Sequence, residues 1–187
     1  MTRPEPLAEA HSSLVVRPAR DDDMGAVARI YGYHVRHGLA SFEETAPDCD
    51  ELMRRRAEVS ARGLPYLVAE REGRILGFAY ASAYRPRPGY RHTVEDSVYV
   101  DESALRQGIG RALLSRVIAR CTELGYRQMV AVIGDSGNVS SIGAHLALGF
   151  REAGRLQAVG YKHGRWVDVV LMQRALGRGQ SAPPERP

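Results

Sequence analysis

Two cysteines, Cys49 and Cys121, are all that the sequence contains. They have no C-x-x-C spacing and no ligand cluster around them, which argues against a disulfide framework or a structural zinc site and leaves two free thiols. Long apolar runs are missing too: nothing approaches the ~20 residues needed to span a bilayer. The first residues, with Glu5, Glu9 and His11, lack the apolar stretch of a signal peptide, so a cytoplasmic protein without a membrane partner is expected. The net charge of +4 is spread along the chain. No RNP-like aromatic strand or basic helix concentrates it, which speaks against nucleic-acid binding and for attraction to an anionic small molecule. His34 and His37 share a helix face but have no third ligand, and Asp21-Asp22-Asp23 is placed at a helix start, where the dipole favours carboxylates. No metal is expected.

What is present fits one globular domain. With 187 residues, 44% of them hydrophobic, the chain is large enough to bury a substantial core. The proline-bearing ends, 1–12 and 177–187, are expected to be disordered tails around a domain at 13–176. Within it, Leu14 to Pro18 reads as a strand, and Met24, Val27, Ile30, Tyr31 and Val35 recur at helical spacing. Asp48 caps a second helix that ends before Gly63. Two strands flank the Glu72-Gly73 turn. Later come a strand near 94–100, a helix over 107–123, a strand over 128–133, a helix starting at Asn138, and two strands over 150–159 and 166–173. No internal repeats occur. The order β-α-α-β-β-β-α-β-α-β-β predicts an α/β fold with a mixed sheet covered by helices, its ligand cleft near the end of the central strand.

The stretch from Thr93 to Leu114 organises the rest. Val94, Val98 and Val100 read as a strand, and Leu113, Leu114, Val117 and Ile118 as a helix. The turn between them carries Gly108 and Gly110, whose missing Cβ atoms let a ligand approach the main chain, beside helix N–H groups that have no internal partner. A pyrophosphate suits such a cradle, helped by the helix dipole and by Arg106 and Arg111; an ordinary tight turn is the alternative. A dinucleotide fingerprint would need glycine where Leu113 stands, and a P-loop would need Gly-Lys-Ser/Thr; neither is present.

Leu105-Arg106-Gln107-Gly108-Ile109-Gly110 resembles the acetyl-CoA loop of the GNAT acetyltransferases, Gln/Arg-x-x-Gly-x-Gly/Ala, with Leu105 departing at the first position. Asn138, Ser141, His145, Gly149 and Phe150 echo the family's later helix. Thr93-Val94-Glu95, Ala131-Val132-Ile133-Gly134 and the run Gly160 to Asp168 narrow the resemblance to the phosphinothricin and methionine sulfoximine N-acetyltransferase subgroup. It spans roughly residues 14 to 174 and implies a mostly antiparallel GNAT sheet. Acetyl-CoA as co-substrate, a small amino acid as acceptor and a homodimer that completes each pocket follow from the same resemblance; acetylation of protein or peptide N-termini, or a CoA-binding sensor without chemistry, are the alternatives.

Acetyl transfer to an amine needs a base, stabilisation of the tetrahedral oxyanion, and a proton or its equivalent for the departing thiolate. An α-amine with a pKa of ~7.7 to 8.0 is mostly protonated at neutral pH, so a base raises the reactive fraction. The resemblance assigns that role to Glu95, whose partial burial would raise its pKa. His145 is the candidate acid, or else a helix histidine satisfied by a backbone carbonyl. The resemblance also implies acetyl-CoA contacts from Val98, Tyr99 and Val100 through their main chain, from Arg106, Gln107, Gly108, Ile109, Gly110 and Arg111 in the loop, and from Asn138, whose simpler job is to cap a helix. For the amino acid the candidates are Phe42 in the loop Gly38 to Pro47, Arg85, Arg87 and Tyr90 in a proline-stiffened basic loop, and Tyr161. The bland alternatives are an aromatic packed under its loop, a solvated basic loop and a hairpin with one aromatic anchor.

Overall fold

The chain runs β1 (Val15–Pro18), α1 (Met24–His37), α2 (Cys49–Ala61), β2 (Tyr66–Arg71), β3 (Arg74–Ala83), β4 (Thr93–Val100), α3 (Ile109–Glu123), β5 (Gln128–Gly134), α4 (Val139–Ala147), β6 (Arg151–Lys162) and β7 (Arg165–Ala175). These elements belong to a computed structural model that describes residues 13–184. Short 3-10 turns at 21–23, 88–90 and 102–104 apart, the order is the one expected from the sequence.

Local signals explain most boundaries. In α1 the side chains of Met24, Val27, Ile30, Tyr31 and Val35 are buried at three- and four-residue spacing, the stripe that makes a helix pack on a sheet. The Asp48 carboxylate accepts from Glu51 N at 2.8 Å and starts α2. Glu72 and Gly73 both take positive φ, as a two-residue hairpin turn requires. The acidic triplet forms the 3-10 turn that opens α1. Asp23 is buried and accepts from Arg17 at 2.7 and 2.8 Å and from Arg20 N at 2.7 Å, and its side chain does not cap α1. The Arg20 N bond caps the turn that leads into α1, and the guanidinium reaching over from β1 adds charge-assisted bonds to the same carboxylate.

All strands lie in one sheet of order β1-β2-β3-β4-β5-β7-β6. Every neighbouring pair is antiparallel except β4 with β5. The registers Phe78↔Tyr99, Tyr80↔Ser97 and Ser82↔Glu95 put these residues on one face. There Tyr31 of α1 meets Phe78 and Tyr99 edge-on. The alternate residues of β4 face the other way: Val98 and Val100 lie against the start of α3, and Asp96 against α4. Asp96 is buried, and the hydrophobic core fills the layers on both sides.

The parallel pairing of β4 and β5 runs only from Thr93↔Gln128 to Asp96↔Ala131. Beyond it β4 continues to Val100 and β5 to Gly134, and the two diverge. The chain following α1 lies against the gap: a Cβ on Gly134 would stand 2.2 Å from the Leu39 carbonyl oxygen. Past the gap, β6 and β7 make a hairpin longer than the sequence suggests, turning at His163 and Gly164, both with positive φ. The edge strand β6 is largely exposed along its length. Residues 177–184, expected as part of a tail, form turns whose Ala182 and Pro183 carbonyls accept from Arg127 at 2.7 and 2.9 Å. Residues 1–12 and 185–187 lie outside the described residues. No described helix is long and apolar enough to cross a membrane.

Gly134→Ala tests the close approach that accompanies the divergence. Its methyl group meets a backbone oxygen and not the far end of a flexible side chain, so a loss of about 1–3 kcal/mol is expected in chemical denaturation; an unchanged midpoint would contradict the packing.

Candidate active site

The divergence leaves main-chain groups without a strand partner. Asp101 N donates to Leu76 O at 2.9 Å and Tyr84 N to Thr93 O at 3.4 Å, so odd-numbered residues of β4 bond toward β3 and even-numbered ones toward β5. Past Asp96, the N–H and C=O groups of Val98 and Val100 therefore point into the gap. Tyr99 is different. Its main chain is committed to Phe78 on β3, and its ring stacks on Phe78 at 5.2 Å, so the expected main-chain contact from Tyr99 is not available. One of the exposed acceptors has a partner that the sequence did not suggest: His34 Nε2 donates to Val100 O at 2.8 Å.

Next to the gap stands the start of α3. Gly108 is its N-cap in the left-handed conformation, φ 78°, and no side chain among the described residues caps the helix. The first turn closes with Ala112 N on Gly108 O, so the N–H groups of Ile109, Gly110 and Arg111 remain free. A Cβ on Gly110 would touch Val100 and Val98 methyls at 3.4 and 3.9 Å. Arg106, before the cap, also takes a positive φ, 60°, an unusual conformation for a side chain of its size. Gln107 Oε1 accepts from Arg71, and the Ile109 side chain is buried in the core, so neither side chain reaches toward the cleft.

A buried carboxylate fixes this loop. Asp101 is fully buried; it accepts from Arg29 at 2.6 Å, from Ser103 N and Oγ at 3.0 and 2.6 Å, and from Arg74 at 3.4 Å. Burial pushes its pKa up, but the Ser103 hydroxyl, Arg29 and the Ser103 amide outweigh that and bring it to about 2. The result is a cleft of about 890 Å³. Val98, Tyr99, Val100, Arg106, Gly110 and Asn138 line it, as do His34 and Leu105. Asn138 accepts from Ser141 N at 3.2 Å, so it caps α4 while bordering the cleft.

Glu95 lies on the opposite face of β4, half-buried. Burial raises its pKa, Asp96 raises it further, and Arg85 partly opposes them. Beside it, Tyr80 and Ser82 line a cavity of about 310 Å³ whose walls include Tyr31, Tyr66 and Phe78. Arg85 stacks over Tyr84 and Tyr90 at 5.2 and 5.9 Å on an exposed loop with Arg87. Phe42 lies against Gly160, where a Cβ would stand 2.3 Å from its ring. Lys162, the only lysine in the sequence, is buried and donates to Ser41 O at 2.6 Å, tying the β6–β7 turn to the same loop. Tyr161 is exposed and edge-on to Trp166. None of Phe42, Arg85, Arg87, Tyr90 or Tyr161 lines either of the two spaces.

His145 is on the far side of the sheet from Glu95. Its Nδ1 donates to Ser141 O at 2.7 Å, and its Nε2 is 3.0 Å from Asp96 Oδ2. Both nitrogens are therefore held, and the ring points no free N–H at the cleft. The alternative of a helix histidine satisfied by a backbone carbonyl describes Nδ1; the Asp96 partner, 49 residues away, has no local sequence signal.

Residues 29–150 match the model of the acetyltransferase (GNAT) family. The chain belongs to the GNAT family. A phosphinothricin N-acetyltransferase of Alcaligenes faecalis is 54% identical over 94% of this chain and 89% of its own. An L-methionine sulfoximine/L-methionine sulfone acetyltransferase of Pseudomonas paraeruginosa is 41% identical over 91% of this chain and 99% of its own. Among solved structures, a GNAT phosphinothricin acetyltransferase of Sinorhizobium meliloti in complex with AcCoA superposes with a TM-score of 0.90 at 45% identity, covering 92% of this chain and 94% of that one. The mixed, mostly antiparallel sheet and its helices are thus those of the family, and the chain is an N-acetyltransferase.

Asp101→Asn tests how the loop is held. A carboxylate whose pKa lies below its ordinary 3.8 contributes stability above that value and loses it as pH falls toward about 2. The variant is expected to be about 2 kcal/mol less stable at pH 7, with the gap from the parent closing between about pH 4 and 2. A pH-independent gap in denaturation midpoints would contradict the assignment.

Proposed function

We propose that this chain transfers the acetyl group of acetyl-CoA to the α-amine of a small amino acid of the phosphinothricin, methionine sulfoximine or methionine sulfone type, by direct attack with Glu95 as general base. The observation that carries this is the gap between β4 and β5, bordered by the free N–H groups of α3 and by Glu95 on the adjoining face. The names of the relatives support the acceptor class. The residues fit the coenzyme: uncapped N–H groups at 109–111 and Arg106 suit a diphosphate, and Val98 and Val100 offer main-chain bonds to an amide-bearing arm. Bound there, acetyl-CoA supplies an activated acyl group.

Glu95 takes a proton from the substrate ammonium, directly or through water; its raised pKa brings it closer to the working range of a base. The Val98 N–H faces the gap where negative charge develops on the acyl oxygen. Direct attack is favoured because neither cysteine is placed to carry an acetyl group: Cys121 is buried, with its pKa pushed up to about 12, and Cys49 lines neither the cleft nor the cavity beside Glu95. Phe42, with Arg85, Arg87 and Tyr90 for the carboxylate or phosphinate, remain the acceptor-side candidates, with Tyr161 contributed across a homodimer. Val159, Tyr161 and Trp166, 54, 57 and 67% exposed on the outer hairpin, supply the apolar surface such a dimer needs. Residues 13–176 form the catalytic domain of a cytoplasmic enzyme.

Thiol release with a panel of amino acids tests the reading: turnover with methionine sulfone or phosphinothricin is expected, and none with any amino acid would refute it. Glu95→Gln should keep acetyl-CoA affinity and lower turnover about 100-fold or more at neutral pH. In the parent, kcat/KM should fall as pH drops through a pKa above the ordinary carboxylate value, because the protonated acid cannot accept a proton. Near-normal turnover of the variant would remove Glu95 from the mechanism.

A further inference from the structure

Asp96 Oδ1 is buried and has no hydrogen-bond partner among the described residues, while Oδ2 of the same carboxylate faces His145. The two side chains are each only 2% exposed. Beside them is a cavity of about 40 Å³ lined by Asp96, His145, Asn138, Ser141 and the diverging end of β5. Val98, Gly134, Asn138 and Ser141 also line the large cleft, so the small cavity adjoins it. A water needs roughly 10–15 Å³ and two or more polar partners; this space offers both.

We propose that Asp96 Oδ1 holds a water in this cavity, and that the Asp96–His145 pair is a positioning device presenting that water's second hydrogen to the sulfur that leaves at the β4–β5 gap. This rests on the acetyl-transfer reading above. The sequence pointed to His145 as a direct proton donor, but both ring nitrogens are occupied, and the unpartnered atom beside the cleft is the Asp96 oxygen. Ser141 O fixes the tautomer by taking the Nδ1 hydrogen, so a proton on the other side is shared between Nε2 and Oδ2. Burial disfavours the charged imidazole, yet the Asp96 hydrogen bond and charge and the Ser141 carbonyl outweigh it and raise the His145 pKa. The Asp96 charge is also felt by Cys121 of α3 and by Glu95, which precedes it on β4 and points to the other face. The water donates one hydrogen to Oδ1 and the other toward sulfur. As the carbon–sulfur bond breaks, its electron pair stays on the thiolate, which is stabilised by that hydrogen bond and takes its proton from solvent on release.

Three measurements decide this. Asp96→Val removes the orphan acceptor together with its partner oxygen at similar volume; kcat should fall on the order of 10- to 100-fold, with the acetyl-CoA Kd from calorimetry close to that of the parent. An unchanged kcat, or a loss matched by lost coenzyme affinity, would overturn the proposal, the second outcome meaning that Asp96 merely shapes the wall. If that variant does not fold, a crystal structure of the parent with CoA decides: a water within hydrogen-bond distance of Asp96 Oδ1 and of the sulfur supports the proposal, and an empty or sulfur-remote cavity overturns it. A parent enzyme that neither binds acetyl-CoA nor releases thiol would instead defeat the acetyl-transfer reading.

Discussion

The structure depends on an interruption. Two adjacent parallel strands stop pairing after Asp96↔Ala131 although each continues for several residues. A strand edge inside a sheet carries unsatisfied N–H and C=O groups, and burying them without partners costs free energy comparable to lost hydrogen bonds. The fold meets part of this cost itself, through His34 on the Val100 carbonyl. The remainder is exposed to a cleft, where, on the proposed function, a ligand with amides of its own would restore the missing ladder.

Much of the surrounding architecture keeps that interruption open. The main chain at Leu39 lies on Gly134, where a side chain would have closed the approach. Asp101 anchors the loop leading to α3 by ties to Arg29, Arg74 and Ser103. Asp96 and His145 join α4 to the last paired residue of β4, so the far wall of the cleft is held by a side-chain bond where strand pairing ends. Glu95, the neighbour of Asp96 in sequence, points to the other face because successive side chains of a strand alternate. In the proposed reaction, one short stretch of β4 would thereby serve both sides.

The order of elements was legible because its signals are local. The helical stripe of α1, the Asp48 cap, the Glu72-Gly73 turn and the glycines at 108 and 110 each act within a few residues. What stayed hidden is non-local. Nothing in Val98-Tyr99-Val100 says that its partner strand turns away, and without that register the main chain of Tyr99 cannot be told from that of Val98. The pairing of Asp96 with His145 and of Lys162 with Ser41 spans 49 and 121 residues. Asp23 illustrates the same limit: its place at a helix start was legible, but the guanidinium that the sheet brings to it was not.

The proposed reaction requires first that a coenzyme complete the broken ladder of β4 and lay its diphosphate on the start of α3. Amide hydrogen exchange measured with and without CoA tests it residue by residue. Slowed exchange at Val98, Val100, Ile109, Gly110 and Arg111, with Tyr99 unchanged because β3 already holds it, is the predicted result. Bound CoA that leaves those amides exchanging as before, or that protects a different surface, would contradict it.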